Sequence, residues 1–338
     1  MKNILLVFTG GTIGSLTVET TINPCESARY KLLQLFAEQD NDPLPVAFKT
    51  LQPLQILSEN LHPEDWTLLI TAIEAEDLYS FDGIILTHGT DTLGFSAAAL
   101  GLYFNDLKIP MLLVSSDLPL DNPLANGLPN FLCAVTFIRR MAIGGVFVPY
   151  KTSGSTLQIH MATHLASSPQ LSSHFPGLQS KAFMQFEGGE FNLPEIPPAT
   201  PPTPWRLQAN FSPKILLIRP FPGIDYSQFK LEGVSAVLHD LYHSGTACAS
   251  ARRGEQYCLT TFIKHCRQQN LNVYLAPALF TENIYGSTRE LLAAGATMIW
   301  NISLETAYAK LLLAYGNFES TAEIEFFLQT DIAGEHVF

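Results

Sequence analysis

Residues 4–8 read Ile-Leu-Leu-Val-Phe, an uninterrupted apolar run that stops at Thr9-Gly10-Gly11-Thr12-Ile13-Gly14-Ser15. A strand-length run with no polar alternation is buried on both faces. That is the condition of a central strand in a parallel sheet covered by helices. The same punctuation recurs at residues 84–86, which run into Thr87-His88-Gly89-Thr90-Asp91-Thr92, and again at 111–114 and 146–148. A shorter strand is expected at 46–49. Between the strands, Leu32, Leu35 and Phe36 carry helical spacing within 28–38. Pro63-Glu64-Asp65 opens a helix to about residue 76, with proline in the first turn and acids at its positive end. Further helices are expected at 93–104 and 127–141. This order predicts an α/β, doubly wound parallel sheet.

Six prolines, Pro194, Pro197, Pro198, Pro201, Pro202 and Pro204, forbid helix and sheet interiors and favour a stiff connector. The expected organisation is therefore a larger N-terminal domain over 1–190, a proline-rich linker over 191–212 and a smaller C-terminal α/β domain over 213–338. In the second half, strands are expected at 215–218, 236–238, 273–276 and 298–300, with helices at 259–267, 288–293 and 304–314.

Composition excludes several function classes. With 47% apolar and 15% charged residues among 338, the chain folds into globular domains. A net charge of −12 repels phosphate backbones and anionic lipid, so neither a nucleic-acid partner nor a membrane partner is expected. No stretch approaches the roughly 18 apolar residues of a membrane span. The five cysteines, Cys25, Cys133, Cys248, Cys258 and Cys266, form no CxxC pair and read as reduced thiols. The N-terminal apolar run is too short for a signal peptide, so the expected compartment is the cytoplasm. His160 and His164 are four apart, as on one helix face. Met161 stands where a zinc-binding pair of this kind has glutamate, so no metal site is expected.

Residues 9–15 follow a buried strand, where open parallel sheets gather their ligands. Adjacent glycines let backbone N–H groups approach a carboxylate, a phosphate or an oxyanion, with the Thr12 hydroxyl beside them. Three readings stand at this point. One is a dinucleotide turn, although the second strand ends on Lys49-Thr50 where that fold places an acid. Another is a plain strand reversal. The last is a catalytic hydroxyl.

Thr-Gly-Gly-Thr-Ile-Gly at 9–14, together with His-Gly-Thr-Asp-Thr at 88–92, resembles the two signature motifs of bacterial-type L-asparaginases. The cytoplasmic type I branch is the most similar, since Pro63-Glu64-Asp65-Trp66 follows the substrate loop. The resemblance implies a larger N-terminal flavodoxin-like parallel-sheet domain plus a smaller C-terminal α/β domain. It also implies hydrolysis of a small-molecule amino-acid amide, asparagine or a close analogue, to the acid and ammonia without cofactor or metal. Thr12 matches the nucleophile, and Thr90 and Asp91 match the second threonine and the acid that holds the substrate's ammonium. Ser58 and Glu59 match the pair that grips the α-carboxylate and α-amino groups. Gly11 and Gly89 present oxyanion-binding amides, and Ser116 falls where a backbone carbonyl meets the leaving amide. A homodimer or homotetramer is implied, its site completed from a neighbouring subunit, where Thr246 matches the family's asparagine.

Two family residues have no counterpart. Ile22 occupies the slot of the tyrosine in the loop after the first motif, with Thr20, Thr21 and Tyr30 as other nearby hydroxyls. The lysine slot falls at Gln158, Ile159 or His160, and Lys151 lies too early. His160 is thus a candidate substitute base, with a purely structural histidine as the competing reading. The alternative function is a catalytically weak homologue that binds asparagine- or aspartate-like ligands as a sensor or partner subunit.

Overall fold

The computed structural model describes residues 1–18, 21–24, 26–192 and 205–338, and within 16–29 it describes backbone only. The six linker prolines and Thr20 lie outside the described residues. The chain forms two compact bodies, residues 1–209 with Ile332–Gly334, and Asn210–Asp331 with Glu335–Phe338.

In the first body, β1 (Lys2–Val7) is followed by a hairpin of β2 (Ser15–Val18) and β3 (Thr21–Pro24), then α1 (Glu26–Gln39) and β4 (Val46–Leu51). Next come α2 (Pro63–Glu74), β5 (Gly83–Thr87), α3 (Leu93–Tyr103), β6 (Pro110–Val114), α4 (Gly127–Arg140) and β7 (Gly145–Tyr150). Strands β4, β1, β5, β6 and β7 lie side by side in that order and all run parallel. β1, β5 and β6 are apolar on both faces, as their unbroken runs require. On one face Ile4, Leu6, Ile85 and Val114 pack with Leu32 and Phe36 of α1 and Phe131 and Phe137 of α4. The helix α2 starts with Pro63 at its first turn, and the His62 ring and Asp65 carboxylate satisfy each other's neighbouring N–H groups.

The sheet continues past the parallel region. β8 (Leu157–Met161), β9 (Met184–Glu187) and β10 (Glu190–Asn192) add to β7 as antiparallel strands, making eight in all. A tight turn at Thr152–Ser155, with Gly154 at φ 74°, reverses the chain after β7. This corrects the helical pairing expected of His160 and His164. His160 lies on β8 opposite Val148, and His164 ends the short 3-10 turn Ala162–His164. The alternation Leu157-Gln158-Ile159-His160-Met161 has strand period, and Leu157 and Ile159 enter the main core.

The second body is a parallel sheet of β11 (Ile215–Ile218), β12 (Ala236–His239), β13 (Asn272–Leu275) and β14 (Thr297–Met298). Its helices are α5 (Leu259–Gln268), α6 (Gly286–Ala293), α7 (Leu304–Asn317) and α8 (Thr321–Gln329), the last not foreseen in the sequence. Among the described residues, no helix is long and apolar enough to cross a membrane.

Lys310 of α7 is fully buried with Glu335, and its ammonium also donates to the Thr330 carbonyl and faces the Phe327 ring. Removing one member of such a pair leaves an uncompensated charge in the core. Lys310→Met should therefore cost about 3–5 kcal/mol, while the double change Lys310→Met/Glu335→Leu recovers much of the loss. Denaturant unfolding followed by circular dichroism measures both. Equal destabilisation by the single and double variants would contradict this account.

Candidate active site

β1 and β5 are adjacent, while β4 lies on the far side of β1, so the strand order reverses between them. The crevice beyond their carboxyl ends is where such sheets bind ligands. β1 delivers residues 9–15 there, and β5 delivers 88–92. Thr9 Oγ1 donates to the Thr87 carbonyl at 2.6 Å, tying the two strand ends together in the interior. The segment before Ser58 joins them. Gly11 N donates to Ile56 O and Ile56 N to Thr9 O, each at 2.9 Å.

The loops then meet backbone to backbone. Gly11 adopts φ 71° and ψ −177°, a conformation essentially reserved for glycine. A Cβ on it would stand 2.3 Å from Gly89 N, and one on Gly89 would stand 2.4 Å from Ser58 Oγ. Three distant segments therefore converge where no side chain fits. Thr12 begins a single 3-10 turn on this contact, fixed by Gly14 N and Ser15 Oγ, which both donate to Gly11 O at 3.0 and 2.7 Å. Buried Ile13 anchors the turn from below. Ser58 is buried. Its hydroxyl accepts from Asp91 N at 3.2 Å, and its carbonyl accepts from Thr92 Oγ1 at 2.9 Å. Thr12 and Thr90 are half-buried, and Asp91 and Glu59 are exposed, so their polar ends stay open to a ligand. His88 is turned inward, donating from Nδ1 to Gly89 O at 2.7 Å, and burial lowers its pKa.

The ends of β6 and β7 complete the wall. Asn126 and Asn130, at the start of α4, clamp them together. Asn130 donates to Ser115 O at 2.9 Å and accepts from Lys151 N at 2.8 Å, while Asn126 donates to Lys151 O at 2.8 Å. Asp117 N donates to Asn126 Oδ1 at 2.9 Å, and Asn126 N returns a bond to Asp117 Oδ1 at 3.1 Å. Ser116 is fully buried and its hydroxyl is spent on Leu118 O at 2.5 Å. As a result, Thr90, Asp91, Asp117 and Tyr150 line one cleft of about 340 Å³, closed on the other side by residues 168–175. Tyr150 stacks edge-on against Phe175, with ring centroids 4.7 Å apart. Burial, reinforced by the nearby Asp117 charge and opposed by an Asn126 hydrogen bond, pushes its phenol up to about 12. Sequence reading passed over Asp117 as a ligand group and Tyr150 altogether. Their signal was position, since each sits at the carboxyl end of a parallel strand.

The structure brings Gly11, Ser58, Gly89 and Asp91 into contact, with Thr12 and Thr90 beside them. Of the candidate site residues, Thr90 and Asp91 line the cleft, and Thr12, Ser58, Glu59 and His160 are not among its lining residues. His160 is three strands from β5, roughly 14 Å across the sheet at the usual strand spacing. It is buried, its Nδ1 has no hydrogen-bond partner among the described residues, and burial, with a smaller push from His174, lowers its pKa to about 4. Lys151 is exposed and borders a different hollow, with Gly154 and Glu187. Tyr30 is exposed on α1, while the side chains of Thr21 and Ile22 lie outside the described residues. Among the described residues, no group of three His, Cys, Asp or Glu side chains is placed to hold a metal ion.

A parallel sheet with two threonine-glycine loops at its switch point matches one known class. The sequence profile of the family described as Asparaginase, N-terminal covers residues 3–184, and the chain belongs to the asparaginase family of amidohydrolases. It is 26% identical over 342 residues to an L-asparaginase of Thermococcus kodakarensis, spanning 98% of each chain. It is 27% identical over 365 residues to a glutamyl-tRNA(Gln) amidotransferase subunit of Methanococcus maripaludis, spanning 99% of this chain and 81% of that one. The solved structure of the thermostable L-asparaginase from Thermococcus kodakarensis superposes with a TM-score of 0.83 at 23% identity, over 99% of both chains.

This geometry can be probed at two positions. Gly11→Ala forces a Cβ into the Gly89 backbone and should destabilise the first body by about 3 kcal/mol or more. Thermal unfolding reads this directly, and a variant as stable as the parent would refute the close contact. His160 stays neutral in the fold down to about pH 4, whereas an unfolded imidazole takes its proton near 6.5. Its contribution to stability is thus intact above pH 6.5 and lost as pH falls toward 4, on the order of 3 kcal/mol in all. His160→Leu should flatten that acid slope, measured by urea unfolding between pH 4 and 7.

Proposed function

We propose that this site hydrolyses the side-chain carboxamide of asparagine, or a close analogue, through Thr12. The contact of Gly11 on Gly89 carries the reading, because it sets the Thr12 loop, the Thr90 loop and Ser58 around one point. The similarity to an L-asparaginase across 98% of both chains supports the substrate class. Asp91 receives the substrate ammonium, with Ser58 and Glu59 at the α-groups. Backbone N–H groups of the Gly11 and Gly89 loops face the carbonyl oxygen, where tetrahedral charge develops. The Thr12 oxygen attacks the amide carbon, and its proton passes through a water held on Asp91 to the departing nitrogen. The C–N bond breaks and ammonia leaves. Water then cleaves the threonyl ester to the free acid and restores the hydroxyl. The working form is a homodimer or homotetramer in the cytoplasm, with Thr246 of a neighbouring subunit reaching the site.

The similarity to an amidotransferase subunit favours a second reading, a binding chain that acts with a partner. Ammonia release from L-asparagine, D-asparagine, L-glutamine and asparaginyl peptides separates the two. On the first reading ammonia appears and Thr12→Ala abolishes it. On the second, no amide is turned over, yet calorimetry detects asparagine or aspartate. On either, Asp91→Ala should weaken binding by about 2–5 kcal/mol, the usual cost of truncating a desolvated charge pair. Binding indifferent to Asp91→Ala would overturn the site assignment.

A further inference from the structure

The cleft reaches the proposed site at Thr90 and Asp91, so its charge bears on which substrates the site accepts beyond the reacting amide. Its lining holds two carboxylates, Asp91 and Asp117, and a tyrosine. No lysine or arginine is among the described lining residues. Lys151 borders a separate hollow, and His174 is exposed, its Nδ1 3.4 Å from Thr152 Oγ1. Asp117 is also held in place. The reciprocal bonds with Asn126 fix its backbone and Oδ1, and Oδ2 carries no hydrogen bond among the described residues.

Free asparagine carries one ammonium and one α-carboxylate. Asp91 alone suits the ammonium. A second fixed carboxylate in the same cleft attracts the ammonium of that zwitterion but repels its carboxylate end, so the two effects oppose each other. Removing the α-carboxylate charge, as an amide, an ester or a peptide bond does, turns the repulsion off and leaves only the attraction for the ammonium. The far wall of the cleft, with Gln170 and Ser173, offers amide and hydroxyl partners to an extension beyond the α-carbon.

Resting on the site proposed above, we propose that Asp117 is a specificity-determining residue, selecting carboxamide substrates with a free ammonium and no free α-carboxylate, such as an N-terminal asparaginyl residue, over free asparagine. The intact protein is assayed for ammonia release and by calorimetry with L-asparagine and L-asparaginamide, at low and high salt. The amide is expected to be favoured by about tenfold or more in kcat/KM or in affinity, and the preference should shrink as salt screens it. Asp117→Asn keeps an oxygen to accept the Asn126 N–H and should abolish the preference, mainly by lowering KM for L-asparagine. A purely structural residue would weaken both ligands alike. Equal or better use of L-asparagine by the native protein, or a preference unchanged in Asp117→Asn and at high salt, overturns the assignment of Asp117 alone. If neither ligand binds, the site reading falls and takes this inference with it.

Discussion

Gly11 lies on Gly89 with nothing between the two backbones, and Ser58 fills the space where a Gly89 side chain would stand. The contact joins segments from three places in the chain, and the rest of the site is built outward from it. Because Gly11 is close-packed, the turn at Thr12 has one orientation. Because Ser58 spends its hydroxyl on Asp91 N and its carbonyl on Thr92, the second loop is fixed to the segment that precedes α2. The exposed groups, Asp91 and Glu59, are thereby presented by a frame of close-packed backbone. Such preorganisation lowers the cost of binding.

A second clamp does comparable work with side chains. Asn126 and Asn130 lie one turn apart at the start of α4, and between them they bind both the Ser115–Asp117 segment and Lys151. Buried amides with several partners each hold two strand ends at a fixed separation. They thereby set the width of the cleft into which Asp117 and Tyr150 project.

The first half of this architecture was readable in the amino-acid order for a physical reason. Residues 4–8, 84–86 and 111–114 are buried on both faces, so their burial is written as unbroken apolar runs, and the loops that follow carry glycines that only a close approach requires. The antiparallel extension was harder to read. Leu157–Met161 alternates, but His160 is buried on the face where a polar residue signals solvent, so the strand is masked, and the resemblance to the family's lysine slot made His160 a candidate base. Asp117 and Tyr150 were missed because what brings them together is the Asn126 bond network and strand order, and neither leaves a local pattern in the sequence. The second body was readable in its strands. Its buried Lys310–Glu335 pair was not, since a lysine and a glutamate that far apart in sequence give no sign of burial.

Trp66 of α2 is buried behind this frame, its indole N–H donating to Ser96 Oγ at 2.9 Å. It shares a small void of about 10 Å³ with Thr9, Ser58, His88 and Gly89. The chain has only three tryptophans, and the other two, Trp205 and Trp300, do not border that void. An indole in a dry apolar setting emits at short wavelength, and its emission responds to small changes in the groups packed on it. The protein thus carries a built-in optical probe on the concealed side of its glycine contact, where any displacement of Ser58 or Gly89 would register as a change in fluorescence.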